Sequence, residues 1–203
     1  MTRSVLLGSA SPRRRLLLEQ AGWRVEQVSP EIDDGVIHLE TDSPPRIVEA
    51  LAWFKGAQIG PPDHPHVASV AADTVCVVDG AILGKPRDRE HAARMLGSMI
   101  GRHHQTITGV CVQDRSGERL LFSDVARVEI GHLSADVVDR YLDSGEWSGK
   151  AGGYNLVDRI EDGWPLTCID DPTTVMGLPI RRLVPILDEI DQLNRRPNRE
   201  ERP

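Results

Sequence analysis

The sequence predicts an α/β fold, on three observations. Short apolar runs that read as strands recur along the chain, at residues 5–7, 67–78, 105–113 and 119–130. Stretches with helical spacing of apolar residues lie between and around them, four of them preceded by a capping Ser or Asp. Turn signals at Asp79-Gly80 and at residues 114–117 join neighbouring runs into antiparallel pairs.

In chain order, residues 5–7 form a strand that enters the small-residue turn Gly8-Ser9-Ala10-Ser11. Ser11 suits an N-cap and Pro12 the first helical position, where its missing N–H costs nothing. Leu16, Leu17 and Leu18 supply a buried face, and Gly22 ends the helix. Residues 23–28 read as a strand, and residues 29–35 as an acidic loop. Ser43 opens a second helix through Pro44 and Pro45, with Ile47, Val48, Leu51 and Ala52 as its stripe and Lys55 late in it. Residues 60–66 are a Pro-rich connector. Residues 67–72 are a strand, residues 75–78 another strand or its continuation, and residues 81–83 return from the turn. Asp88 caps a helix to about residue 100, carrying Ala92, Met95, Leu96 and Met99. Ser134 caps another, with Val137, Val138, Tyr141 and Leu142, that stops at Gly145. A last amphipathic helix runs to about Leu193, and residues 195–203, charged and poor in apolar groups, read as a disordered tail to a domain of residues 1–194.

The 203 residues are 39% hydrophobic and 27% charged, a globular composition that can bury a core unaided. A net charge of -7 and 4% aromatic residues argue against a nucleic-acid binder. Cys76, Cys111 and Cys168 form no CxxC pair, and the first two sit in apolar runs as buried thiols. Without a signal segment or an apolar run long enough to span a membrane, the expected compartment is the cytoplasm.

Several residues carry chemistry. Arg13, Arg14 and Arg15 occupy a first helical turn, where each exposed cation opposes the helix dipole by about 0.3–1 kcal/mol. Behind a strand and a Gly/Ser turn, such a cluster is an anion site; it also suits an Arg-rich surface helix. Asp73 interrupts small apolar residues, which calls for a partner or a metal, or for an Asx-turn. Lys85 follows Gly84, and Lys150 lies among Gly149, Ala151, Gly152 and Gly153, either against a phosphate or in a solvated turn. Cations beside carboxylates in Gly-rich turns suit phosphoryl chemistry, with Mg²⁺ held by the acids. No Walker A or GxGxxG motif is present.

From about residue 4 to 193 the chain resembles the Maf family of nucleoside triphosphate pyrophosphatases. GSASPRRRLL, VSPEIDD, Lys55, AADTVCVVDGAILGKPRD, QTITGVCV, GEWSGKAGGY and VMGLPI are similar to the family's segments, in its order. The resemblance implies an elongated mixed α/β fold, its β-sheet flanked by helices, with two lobes and a central cleft, and a homodimer. It implies hydrolysis between the α- and β-phosphates of a nucleoside triphosphate with Mg²⁺ or Mn²⁺. By position, Ser9, Arg13, Arg14, Lys55, Lys85 and Lys150 would hold the triphosphate, with Ser11, Thr74, Gln105 and Tyr154 as further substrate-binding candidates. Asp73 would be the central catalytic carboxylate, with Lys85 beside it and Asp34 as a second acid; Asp73 and Asp34 would hold the metal. The AADT form around Asp73 resembles the subgroup acting on dTTP, UTP and pseudouridine triphosphate, rather than the 7-methyl-GTP subgroup. The chain departs from the pattern at Asp34, where a glutamate is usual, at Asn155-Leu156-Val157, where Gly-Ile-Gln is usual, and over residues 158–174. The rival classes are a phosphatase or nucleotide-sugar hydrolase with the same cations, and a nucleotide-binding regulator of cell division without turnover.

Overall fold

The computed structural model describes residues 3–30 and 41–195. Its elements are, in order, β1 (Ser4–Gly8), α1 (Pro12–Gln20), β2 (Arg24–Val28), α2 (Pro44–Ile59), β3 (His66–Val78), β4 (Ala81–Leu83) and α3 (Arg89–Met99). There follow β5 (Arg102–Gln113), β6 (Arg119–Ile130), α4 (Ala135–Ser144), a short 3-10 turn (Ala151–Gly153), α5 (Leu156–Glu161), β7 (Leu166–Cys168), α6 (Pro172–Val175) and α7 (Ile180–Arg195). One mixed sheet joins the strands in the order β2-β1-β3-β5-β6-β7, with β4 paired to β3. β1 runs parallel to β2 and β3, and the remaining pairs are antiparallel. None of the described helices is long and apolar enough to cross a membrane.

The spine is β3. Its residues 67–72 are buried on both faces, which fits their near-continuous run of small apolar side chains. Val67, Ala68, Val70 and Ala72 join a core built with Val5, Leu7, Leu18, Trp23, Leu183 and Leu187 from β1, α1, the turn that follows α1, and α7. Farther along the same strand, Cys76 and Val78 join a second core with Leu96, Met99, Ile130, Tyr141, Tyr154 and Trp164. Each fully buried Leu or Ile contributes about 1.5–3 kcal/mol, so both cores are substantial. Between them, β3 carries Asp73 and Thr74.

The helix α2 lies directly on the sheet because two glycines permit it. A Cβ on Gly109 of β5 would stand 2.4 Å from the Val48 backbone, and one on Gly56 would stand 2.8 Å from the Cys111 sulfur. Backbone thus packs on strand, and this seats Lys55 over β3.

Most expected elements form, with Ser11, Asp88 and Gly145 acting as caps and stop. Residues 67–78 are a single strand, and β5 begins at Arg102 because its pairing with β6 extends to Ile130. Periodicity did not announce α5, β7 and α6; these are short pieces whose ends are fixed by Asn155 and Asp171 caps and by pairing with β6. Helix α7 continues through Arg195, whose guanidinium pairs with Asp191 at 2.7 Å, so Arg195 belongs to the fold rather than to a tail. Residues 196–203 lie outside the described residues. Cys76 and Cys111 are buried free thiols, and burial pushes the Cys76 thiol up to about 12.

Candidate active site

A cleft of about 370 Å³ opens where the two cores meet. Its first wall is the turn between β1 and α1. Gln27 donates to the backbone carbonyls of Ser9 (2.9 Å) and Ser11 (3.3 Å) and so holds the turn from β2. Ser11 Oγ accepts from the Arg14 amide at 3.5 Å, as an N-cap should. Ser9 Oγ accepts from the Ser11 amide (3.2 Å) and from the Arg14 guanidinium (3.1 Å). Both of its lone pairs are thereby engaged, and its own proton is left to donate toward an acceptor in the cleft.

On the floor, Asp73 of β3 is nearly buried, and Lys55 of α2 donates to its Oδ1. The partner that the sequence demanded for this carboxylate is therefore a lysine, on the helix that Gly109 and Gly56 let down onto the sheet. Lys85 and Lys150 close the opposite side. The Gly152 amide donates to the Gly84 carbonyl at 3.0 Å, which ties the two lysine loops together. The Lys150 pKa is lowered, first by burial and also by the charge of Arg13 across the cleft, while Asp158 at 4.0 Å opposes the shift. Asp73 is the one acidic side chain among the described residues lining the cleft; Arg13, Arg14, Lys55, Lys85 and Lys150 all line it.

The remaining candidates divide. Ser9, Ser11, Thr74 and Tyr154 line the cleft. Arg14 lines it as well, but its fork is aimed into protein: Nε donates to Gly177 O (2.7 Å), one terminal nitrogen to Ser9 Oγ and Ala72 O (2.8 Å), and the other to Thr74 Oγ1 (3.1 Å). It binds the two walls to each other. Tyr154 presents its ring while its hydroxyl meets His104 Nε2 at 2.6 Å. Gln105 is not brought in. Its side chain is exposed, and strand alternation puts Thr106, not Gln105, on the cleft side of β5. Asp34 lies outside the described residues.

Sequence reasoning missed Thr106, Val175, Met176 and Gly177 as lining residues. Only the VMGLPI match pointed toward the last three. Gly177 has φ +98°, and a Cβ there would stand 3.0 Å from Arg14 Nε, so the close approach of Arg14 requires glycine. The departure at residues 155–157 also has a local cause. Asn155 caps α5 by accepting from the Val157 amide (3.2 Å) and donates to Asp158 (2.6 Å), and Val157 does not line the cleft.

This set of segments, in this order, is matched by the model for Maf-like proteins over residues 4–190. The chain belongs to the Maf family. A Maf relative from Symbiobacterium thermophilum, described as a dTTP/UTP pyrophosphatase, is 37% identical over 187 residues, covering 92% of this chain and 94% of its own. One from Rhodopirellula baltica, described in the same words, is 36% identical over 192 residues, covering 93% and 83%. Among solved structures, a HAM1 protein from Coxiella burnetii aligns with a TM-score of 0.46 at 12% identity, covering 92% of this chain and 99% of that one.

No three His, Cys, Asp or Glu side chains converge among the described residues of this Maf protein. A preformed all-protein metal cage is therefore not what the described cleft offers. One nearly buried carboxylate beside an anion site still fits Mg²⁺ or Mn²⁺, which take hard oxygen ligands from one or two carboxylates, substrate phosphates and water.

Proposed function

We propose that this Maf protein hydrolyses the α–β phosphoanhydride of nucleoside triphosphates, releasing the nucleoside monophosphate and pyrophosphate, with dTTP and UTP preferred. The observation that carries the proposal is the convergence of Arg13, Lys55, Lys85 and Lys150, from four separate segments, around Asp73 in one cleft. A triphosphate is the polyanion that relieves the mutual repulsion of these cations. The description of both relatives as dTTP/UTP pyrophosphatases, and the resemblance of the AADT segment around Asp73 to that subgroup, support the base preference.

In the proposed reaction a water oxygen attacks the α-phosphorus, the bridging α–β bond breaks, and pyrophosphate leaves with the bonding pair. Asp73, oriented by Lys55, positions the water and takes its proton. Ser9 donates its hydroxyl proton to a phosphate oxygen, and Arg13, Lys85 and Lys150 neutralise the charge that develops on the leaving pyrophosphate. A divalent metal, held by Asp73 with Asp34 as a second candidate, would supply Lewis-acid polarisation of the phosphate oxygens. Family membership is the support for a homodimer and for a cytoplasmic setting as parts of the same proposal.

The test is incubation of purified protein with Mg²⁺ and dTTP, UTP, CTP, GTP, 7-methyl-GTP or inosine triphosphate, reading pyrophosphate and phosphate separately. Pyrophosphate from dTTP and UTP foremost is expected. Release of inorganic phosphate alone would point to a phosphatase, and binding without any product would point to a sensor.

A further inference from the structure

Behind the cleft, four hydroxyl and carboxyl groups on four elements form a chain whose proton directions are settled by chemistry alone. Thr174 of α6 donates to Asp124 of β6, because a carboxylate only accepts. Thr108 of β5 donates to the backbone carbonyl of Thr174 at 2.8 Å, because a carbonyl only accepts. With its one proton spent there, Thr108 Oγ1 can only accept from Thr74, 2.9 Å away. Thr74 Oγ1, its proton spent in turn, accepts from the Arg14 guanidinium at 3.1 Å. Thr108 and Thr174 are fully buried, so no water competes for these bonds.

We infer that Thr108 is a positioning residue for the cleft, anchored through Thr174 to Asp124. On this assignment Thr74 and Arg14 hold the cleft together. Arg14 donates at once to the Ser9 hydroxyl on the β1–α1 turn, to the Ala72 carbonyl one residue before Asp73, and to the Gly177 carbonyl. The relay fixes the one guanidinium that sets the Ser9 turn against Asp73, and so sets the distance between phosphate donor and carboxylate. Misplacement there costs transition-state alignment more than ground-state binding. The inference rests on the proposed pyrophosphatase activity for its kinetic part only.

The experiment compares Thr108→Val, which keeps the shape and removes the hydroxyl, with Thr108→Ser, which restores it. In dTTP hydrolysis Thr108→Val is expected to lower kcat about tenfold with KM within about twofold, and Thr108→Ser to recover kcat to within about twofold. Hydrogen exchange without substrate is read in parallel: amides of residues 9–14 and 173–178 should exchange faster in Thr108→Val and at the wild-type rate in Thr108→Ser. Asp124→Ala, at a partly exposed anchor, should give a smaller change in the same direction, and serves if Thr108→Val fails to fold. An unchanged kcat in folded Thr108→Val, a rise in KM alone, or a serine variant as impaired as the valine one would overturn the inference. Should the wild-type protein hydrolyse no triphosphate, the proposed function fails, and the exchange comparison still decides the positioning role.

Discussion

The two cores on either side of the cleft are built from different chemistry. The first, around β1, α1 and α7, is aliphatic apart from Trp23 and Phe122, and the guanidiniums of Arg3 and Arg182 that stack on those two rings sit at its edge, outside the buried residues described. The second, around α3, α4 and β7, contains Cys76, Tyr141, Tyr154 and Trp164, and encloses His104 and Arg159. Arg159 is 5% exposed, lies 4.4 Å from the centre of the Tyr141 ring and 5.5 Å from that of Trp164, and pairs with Asp162 at 2.8 Å and with Glu146. The difference teaches where each side gets its order. The first wall is held by apolar burial and by backbone-directed bonds from Gln27 and Arg14. The second is held by buried polar groups that must stay in one charge state, so it should be the side that responds to pH.

The strongest test of this contrast is at the seam itself. Asp73→Asn should lower pyrophosphate release by about 10²–10⁴-fold while leaving the folded state intact, as measured by turnover beside thermal melting. Lys55→Met should also abolish most turnover, and it takes from the nearly buried Asp73 carboxylate the lysine that donates to it. Its two side chains are 16% and 13% exposed, so a loss of about 3 kcal/mol in denaturant unfolding is expected.

Next in size is the acid response of the second core. Burial, and then the charge of His103, push the His104 pKa down to about 4, from the ordinary histidine value of about 6.5. The unfolded chain therefore binds a proton that the folded one refuses. Stability from His104 is complete above pH 6.5 and falls as the pH drops toward 4, by about 3 kcal/mol in all. Melting curves across that window should show the slope in wild type and a flatter one in His104→Gln. Hydrogen exchange should show amides of β7 and α4 opening before those of β1 and α1; the reverse order would break the contrast.

Smaller effects sharpen it. Gly177→Ala introduces a Cβ at φ +98° against Arg14, at about 1–2 kcal/mol of strain, and should lower kcat more than stability. Arg159→Met should cost about 1–2 kcal/mol, because Glu146 and Asp162 remain half-exposed and solvated once their partner is gone. Thermal melting of the two variants beside turnover separates a site effect at Gly177 from a packing effect at Arg159.

Local sequence determined much of this protein by itself. Caps, glycine stops and apolar spacing are read within a few residues, so α1, α2, α3, α4, α7 and the long strands were legible, as was the Arg-bearing turn behind β1. An isolated Asp73 among alanines and valines also announced that it needed a partner. Tertiary structure alone decided which partner, because Lys55 reaches it only where Gly109 and Gly56 admit α2 to the sheet. It likewise turned Gln105 outward and Thr106 inward, since alternation along β5 is anchored by register with β3 and β6 rather than by residue type. The hold that Arg14 takes on the fold depends on carbonyls at residues 72 and 177, groups present in every sequence and placed only by the fold. Short elements such as α5, β7 and α6 escaped for the same reason: their stability comes from caps and neighbours, and three to six residues hold too little periodicity to declare themselves.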